Sequence, residues 1–169
     1  MYPGDNGWSI GCDATNYEAV NRVYEIKQRD KSKGMIVLLE NPNNIPSYID
    51  EMPEVAWDLI DFTEKPTTII YDKAKNLATN LIATDGTIGI RVTKEDFSQQ
   101  LIQRFRKPLV SSSANISGEP TPRNFYEVPD KIISEVDYVV NHRQDEMNTV
   151  VNSSVIKLGS SGLVKIIRK

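Results

Sequence analysis

A short apolar run that breaks into small polar residues gives this chain its best candidate for ligand binding. Pro108, Leu109 and Val110 have the composition of a buried strand, and residues 111–118 follow with hydroxyls, one amide and a glycine. Open α/β sheets bind ligands where their strands end, so these polar groups are well placed to hold one. An ordinary turn, in which the same side chains hydrogen-bond their own backbone, is the alternative, and it is favoured for this segment alone.

A cationic segment upstream strengthens the case for a ligand. Lys27, Arg29, Lys31 and Lys33 lie within seven residues at the end of a predicted helix. A phosphate-bearing ligand needs point charge from lysine, forked donors from arginine and small hydroxyl or amide donors, and the two segments together supply all of these. The sequence therefore indicates a phosphate-binding site.

The same cations have a second interpretation, because cations in the last turn of a helix offset its macrodipole while staying solvated. Residues two apart on a continuous helix point to different sides, so Lys27 and Arg29 can share a ligand only if the helix ends around them. Asp30, Ser32 and Gly34 favour such an end. We assign Lys27 and Arg29 to the ligand and the two lysines that follow them to solvent.

Arg91 is the one charged residue in the apolar run of residues 87–92. An unpaired guanidinium inside a strand is costly to bury, so Arg91 is expected to lie at an end of the sheet or to face a cleft. A structural ion pair with a carboxylate is an equally good interpretation. The turn-rich residues 118–122 follow the proposed site and form either its rim or a plain surface connection.

Composition sets limits on the function. The 169 residues are 39% apolar and 25% charged, which is ordinary globular usage and enough for one domain. The formal charge of −3 argues against a protein that coats nucleic acid, although the basic segment at residues 104–107 leaves room for a local basic face.

The rare residues exclude several kinds of site. Cys12 is the only cysteine and His142 the only histidine, which excludes an intramolecular disulfide and a cysteine-based zinc site and argues against a histidine triad. His142 is expected at the surface or at a strand end.

No apolar run approaches the roughly 20 residues of a membrane-spanning helix, and the N-terminus has no signal-peptide pattern. These features predict a soluble cytoplasmic protein with no membrane partner.

Helical patterns alternate with short β-branched runs, as in an α/β domain. Residues 15–18 have capping-box spacing and predict a helix that delivers Lys27 and Arg29 to their loop. Further helices are predicted after Pro53 and from Thr93. Strands are predicted at residues 35–39, 67–71, 87–92, 108–112, 138–140, 155–158 and 163–167. The last two are expected to form a hairpin around residues 159–162, which favours a mixed rather than a wholly parallel sheet.

Taken in order along the chain, these residues resemble the YrdC-like family of threonylcarbamoyl-AMP synthases. The Lys-x-Arg and Ser-x-Asn pairs of that family match Lys27/Arg29 and Ser113/Asn115. Further matching segments are Tyr2-Pro3, Gly11-Cys12-Asp13-Ala14, Gly89-Ile90-Arg91-Val92, Ser153-Ser154-Val155 and Ile167-Arg168. The resemblance implies one α/β domain over residues 1–169, with a twisted mixed parallel and antiparallel sheet, flanking helices and a concave ligand-binding face.

The resemblance also implies an activity. A member of this family joins L-threonine, bicarbonate and ATP into threonylcarbamoyl-adenylate and pyrophosphate, the first half of making threonylcarbamoyladenosine in tRNA. Such a nucleotidyl transfer needs positioning and charge neutralisation more than a strong nucleophile. Mg²⁺ is expected to arrive with ATP rather than at a metal site of the protein, since hard cations often take their ligands from the substrate.

The site roles implied by the resemblance divide between the nucleotide and the amino acid. Lys27 and Arg29 are the implied catalytic pair that holds the phosphates, and Arg91 and Ser154 orient threonine. The implied nucleotide shell is completed by Ser113, Asn115, Ser153 and Arg168. The implied macromolecular partners are tRNA and the transferase that uses the product. Two alternatives are a YciO-like paralogue with a nucleotide site but weak or different activity, and a non-catalytic RNA-binding module associated with translation.

The chain departs from the family pattern near its start. Relatives carry Pro-Thr-Asp-Thr where this chain has Pro3-Gly4-Asp5-Asn6, so both threonine hydroxyls are missing. That segment lines the amino-acid side of the family pocket, and the departure predicts weak threonine affinity with ATP affinity retained. The helix and glycine turn that usually precede this segment are also expected to be lacking.

Overall fold

The β-branched and apolar runs of the chain pair into one twisted sheet. The computed structural model describes residues 1–147, 153–159 and 163–168. Within them the strands are β1 (Tyr2–Gly4), β2 (Gly7–Ile10), β3 (Ile36–Leu39), β4 (Thr67–Tyr71), β5 (Ile88–Val92), β6 (Leu109–Ser113), β7 (Ser154–Leu158) and β8 (Val164–Arg168). Their order across the sheet is β1-β2-β6-β3-β5-β4-β7-β8. Two pairs, β3 with β5 and β4 with β7, are parallel and the rest are antiparallel, which confirms the predicted mixed sheet.

Helices connect these strands. They are α1 (Tyr17–Ile26), α2 (Glu54–Phe62), α3 (Asp96–Phe105) and α4 (Asp130–Glu135), with short 3-10 helices at Pro42–Ser47 and Phe125–Glu127. None of the helices in the described ranges is long and apolar enough to cross a membrane.

The ends of α1 differ from the sequence-based expectation. Asn16 rather than Thr15 caps the helix, because the Asn16 side chain accepts a hydrogen bond of 2.9 Å from the backbone N–H of Ala19. The helix ends at Ile26, and Gln28 has a φ of 48°, which turns the chain away. Lys31 and Lys33 therefore lie in the following loop, where both are exposed, in agreement with their assignment to solvent.

Other corrections concern short elements. Residues 138–140 do not form the predicted strand; instead the Val140 N–H donates to the carbonyl of Met1 at 3.0 Å, and the Met1 ammonium donates to the Tyr138 carbonyl at 2.7 Å. Glu95 rather than Thr93 caps α3, and its carboxylate accepts two backbone N–H groups. Strands β7 and β8 are antiparallel, as predicted for the hairpin, whereas residues 160–162 of its turn lie outside the described residues.

The two faces of the sheet have different roles. The main core covers one face, where Val37, Ile69, Ile90 and Val110 pack with the apolar sides of α1 and α2. On the other face α3 covers a smaller cluster of Tyr2, Leu38, Ile102 and Leu109. The remainder of this second face is polar, and it is open as a cleft.

Candidate active site

The cleft lies on the second face of the sheet and collects residues from most of the chain. Its volume is about 250 Å³. Strand alternation places Ile36, Arg91, Ser111 and Ser113 on this face, because their neighbours in sequence point into the main core. The other lining residues are Asp5, Asn6, Ser9, Arg29, Gly34, Met35, Ser112, Thr121, Ser153 and Arg168.

Lys27 lies behind the cleft wall, where it holds the loop that follows β6. It is the helix C-cap of α1 and only 1% exposed. Its ammonium donates to the carbonyls of Ser113 and Asn115, the latter at 2.8 Å, and to Asn115 Oδ1 at 3.4 Å. An ammonium has three N–H donors, so this loop engages all of them. Burial lowers the pKa of Lys27 to about 8, and the charge of nearby Arg29 lowers it further.

Ser113 and Asn115 are joined side by side in that loop. The Ser113 hydroxyl donates to Asn115 Oδ1 at 2.5 Å, and Asn115 Nδ2 donates to the Glu119 carbonyl at 2.7 Å. These bonds tie the Lys27 ammonium, the Ser-x-Asn pair and the 118–122 loop into one unit. Thr121 of that loop lines the cleft, so the loop forms part of its rim.

Arg29 reaches the cleft from the turn that follows α1. Its Nε donates to the Lys33 carbonyl at 2.7 Å and its Nη2 to the Gly34 carbonyl at 2.8 Å. The two bonds fold residues 29–34 into a closed loop and orient the guanidinium, which lines the cleft. The helix end required for Lys27 and Arg29 to approach one site is thus present.

Arg91 combines both interpretations of its sequence position. It is 6% exposed on β5, and it faces the cleft. Thr68 Oγ1 accepts hydrogen bonds from Nε at 3.1 Å and Nη2 at 2.9 Å, Asn6 Oδ1 accepts from Nη1, and Asp5 Oδ2 lies 3.9 Å from Nη1. Arg91 is therefore both a member of an ion pair and a residue of the cleft wall.

Asp5 is the one carboxylate among the described residues that line the cleft. Its Oδ1 accepts a hydrogen bond of 2.8 Å from Thr93 Oγ1. Burial raises the pKa of Asp5, while the bond from Thr93 and the charge of Arg91 act in the opposite direction. Among the described residues, three guanidinium groups, those of Arg29, Arg91 and Arg168, line the cleft together with one carboxylate, so this wall favours anionic ligands.

The C-terminal strands supply the far wall. Arg168 on β8 donates from Nε to the Ser153 carbonyl at 2.9 Å and from Nη2 to Ser153 Oγ at 2.8 Å, and both residues line the cleft. Ser154 is not among the lining residues; it begins β7, where it pairs with Thr67 and its backbone N–H donates to the Pro66 carbonyl. Five of the residues predicted from the sequence line the cleft: Arg29, Arg91, Ser113, Ser153 and Arg168. Lys27 and Asn115 lie behind the cleft wall, and Ser154 lies outside the cleft next to Ser153.

Ser9 and Thr68 are among the residues of the site that were not identified from the sequence. Ser9 lies on β2, which was too short to be recognised as a strand, and it pairs with Ser113. Thr68 lies in the predicted strand 67–71, but its contact with Arg91 depends on the register of β4 against β5. Within the described ranges no group of three or more histidine, cysteine or acidic residues could hold a metal ion.

Comparisons with known proteins find similarity over most of the chain. The Sua5/YciO/YrdC family model, described as "Telomere recombination", matches residues 1–169. The threonylcarbamoyl-AMP synthase of Pseudoalteromonas translucida is 33% identical over 144 residues, which are 83% of this chain and 77% of that protein. The putative threonylcarbamoyl-AMP synthase of Methanocaldococcus jannaschii is 31% identical over 163 residues, or 96% of this chain and 75% of that protein.

Solved structures with 23–24% identity share the fold. P. abyssi Sua5 has a TM-score of 0.86 at 23% identity, covering 99% of this chain and 51% of that chain. A second P. abyssi Sua5 structure, complexed with L-threonine, has a TM-score of 0.83 at 24% identity, covering 93% of this chain and 46% of that chain. E. coli YciO has a TM-score of 0.84 at 23% identity, with 99% and 81% covered. This chain therefore spans about half the length of the Sua5 chains that it matches.

Proposed function

Because the chain belongs to the Sua5/YciO/YrdC family, we propose that it is a threonylcarbamoyl-AMP synthase, which joins L-threonine, bicarbonate and ATP and releases pyrophosphate and water. The observation that carries the proposal is the convergence of Arg29, Arg91 and Arg168 on one cleft beside the Ser113–Asn115 loop. Both the nucleotide and the amino acid present anionic groups, and guanidinium groups bind carboxylate and phosphate oxygens in a fixed geometry.

The phosphates of ATP are assigned to the side of the cleft formed by Arg29 and Ser113, with Arg168 of the far wall completing the nucleotide shell. Arg29 and Ser113 border the same space, and the Lys27 ammonium places a positive charge behind the Ser113–Asn115 loop. A preorganised cationic wall neutralises the charge that develops when pyrophosphate leaves. Mg²⁺ fits this site as an ion carried by the phosphates, since Asp5 is the only carboxylate on the described cleft wall.

The carboxylate of the amino acid is assigned to Arg91. Its contacts with Thr68 and Asn6 use three N–H groups of a guanidinium that has five. The Thr68 hydroxyl fixes the plane of the guanidinium, so a carboxylate meets an already oriented partner. Positioning of this kind reduces the entropic cost of bringing three substrates together.

The product has a further proposed use. We propose that threonylcarbamoyl-AMP passes to a transferase that modifies tRNA. We also propose that the protein works in the cytoplasm. A YciO-like paralogue of weak or different activity, and an RNA-binding module without catalysis, are the alternatives that the test separates from a synthase.

Isotope exchange between pyrophosphate and ATP tests the proposal. A synthase exchanges labelled pyrophosphate into ATP only when threonine and bicarbonate are both present. Exchange without the amino acid, or no exchange in a protein that binds ATP, contradicts the proposal. An RNA-binding module shows no exchange and binds RNA with a steep dependence on salt concentration.

A further inference from the structure

The Ser113 hydroxyl donates its one proton within the loop that follows β6. Its acceptor is Asn115 Oδ1 at 2.5 Å, and the amide orientation that this requires is fixed because Asn115 Nδ2 donates to the Glu119 carbonyl at 2.7 Å. A serine hydroxyl has a single O–H donor, whereas its oxygen can accept two hydrogen bonds. Toward the cleft, Ser113 therefore presents an acceptor and no donor.

The phosphates of ATP need donors, because their oxygen atoms only accept hydrogen bonds when they are ionised. Arg29 supplies some of these donors. A guanidinium has five N–H groups, and the bonds of Arg29 to the carbonyls of Lys33 and Gly34 use two of them, which leaves three. On the side of the sheet, the donor has to come from a residue other than Ser113.

Ser9 lies directly opposite Ser113 on the neighbouring antiparallel strand β2. Side chains in such a pair point to the same face of the sheet, with their Cβ atoms about 5 Å apart. Trp8 and Ile10 pack in the main core, so the Ser9 side chain between them faces the cleft, which it lines. Ser9 and Ser113 thus border the same part of the cleft.

The Ser9 hydroxyl is available to a ligand. Ser9 is only 6% exposed, and its hydroxyl has no hydrogen-bond partner among the described residues. Gly4 leaves the space beside it open, because a Cβ at position 4 would lie 3.4 Å from Ser9 Oγ. Hydroxyl groups that are this deeply buried normally have a partner, and a bound phosphate would supply one here.

We propose that the Ser9 hydroxyl, rather than the hydroxyl of Ser113, donates a hydrogen bond to a phosphate oxygen of ATP. Ser113 then acts as a positioning residue, which holds Asn115 and with it the loop that Lys27 binds. This inference rests on the proposed function, because it takes the ATP phosphates to lie beside Arg29 and Ser113. It does not depend on threonine binding or on turnover.

Ser9→Ala is the direct test, because it removes the hydroxyl without removing a hydrogen bond between described residues. Calorimetry measures binding of ATP, pyrophosphate and adenosine, each without threonine or bicarbonate. We expect the affinities for ATP and pyrophosphate to fall about 10-fold, as for the loss of a hydrogen bond to a charged group, and the affinity for adenosine to stay unchanged. Ser117→Ala is the matched control, since Ser117 lies in the loop after β6 but does not line the cleft.

The outcomes separate this inference from the proposed function. Unchanged affinities for ATP and pyrophosphate in Ser9→Ala overturn the role of Ser9 and leave the synthase proposal as it was. An equal loss of adenosine binding also overturns it, since a contact with phosphate cannot act on a ligand that has none. If the unsubstituted protein binds neither ATP nor pyrophosphate, both proposals fail. A loss confined to the two phosphate-bearing ligands supports the inference whether or not the exchange reaction is observed.

Discussion

The Thr68 hydroxyl accepts two hydrogen bonds from the Arg91 guanidinium, at 3.1 Å from Nε and 2.9 Å from Nη2, and both residues are buried. The pair bridges the neighbouring strands β4 and β5 on the cleft face. Gly89, two residues before Arg91, leaves room for it, because a Cβ at that position would lie 3.2 Å from Cγ2 of Thr68. Thr68 therefore acts as a positioning residue for the guanidinium that we assign to the substrate carboxylate.

Thr68→Val tests this relationship by replacing the hydroxyl with a methyl group of similar size. Two guanidinium N–H groups lose their acceptor, and we expect threonine affinity to fall about 10-fold while ATP affinity stays unchanged. Thr68→Ser restores the acceptor and is expected to restore threonine binding. Calorimetry with each ligand measures both effects, and equal weakening of the two ligands would indicate a general structural defect instead.

Arg29→Ala tests the phosphate side of the cleft. Charge-assisted hydrogen bonds contribute roughly 1.5–3 kcal/mol, so ATP affinity is expected to fall about 10- to 150-fold. Lys31→Ala and Lys33→Ala are matched controls, because both lysines are exposed in the same loop and neither lines the cleft. If a folded Arg29→Ala protein bound ATP with unchanged affinity, Arg29 would not contribute to ATP binding.

The lowered pKa of Lys27, about 8, predicts that ATP affinity depends on pH. As the pH rises from about 7 to about 9, Lys27 loses its charge, so ATP binding is expected to weaken. In Lys27→Met this decrease is expected to disappear. A wild-type affinity that stays constant over this interval would show that the charge of Lys27 does not act on the nucleotide.

The lowered pKa of Lys27 also determines how the free energy of unfolding changes with pH. Between about pH 8 and the ordinary lysine value of 10.5, the unfolded chain holds a proton on Lys27 that the folded protein has released. The contribution of Lys27 to the free energy of unfolding therefore rises with pH across that interval. Denaturant titrations of wild type and Lys27→Met at several pH values isolate this contribution as their difference, and a difference that falls with rising pH would contradict it.

Arg91→Ala separates the two roles of that residue. Threonine binding is expected to be lost and ATP binding retained, since the two contacts lie on different ligands. The protein is also expected to lose about 3 kcal/mol of stability, because Asp5 is left buried without its cationic neighbour. Adding Asp5→Asn should recover part of that loss. If a destabilised Arg91→Ala protein still bound threonine, the role of Arg91 would be the structural ion pair with Asp5 and not threonine binding.

Long apolar runs made the sheet predictable, whereas short elements and cross-strand contacts did not follow from the sequence. The strand at residues 67–71 was predicted to the residue, since β-branched side chains dominate it. The three-residue β1 and the six-residue α4 carry too little periodicity to be recognised. Lys27, Arg29 and Ser113 were identified by type and spacing, but the acceptors of Arg91 depend on strand register and on a turn that lies far away in the sequence.

The most direct test of the proposed function is mass spectrometric analysis of the products formed from ATP, bicarbonate and L-threonine. We expect threonylcarbamoyl-AMP and pyrophosphate in equal amounts, with each substrate required, and a yield that falls in Arg29→Ala and Arg91→Ala. A protein that binds ATP and threonine but forms no threonylcarbamoyl-AMP would contradict the assignment as a synthase.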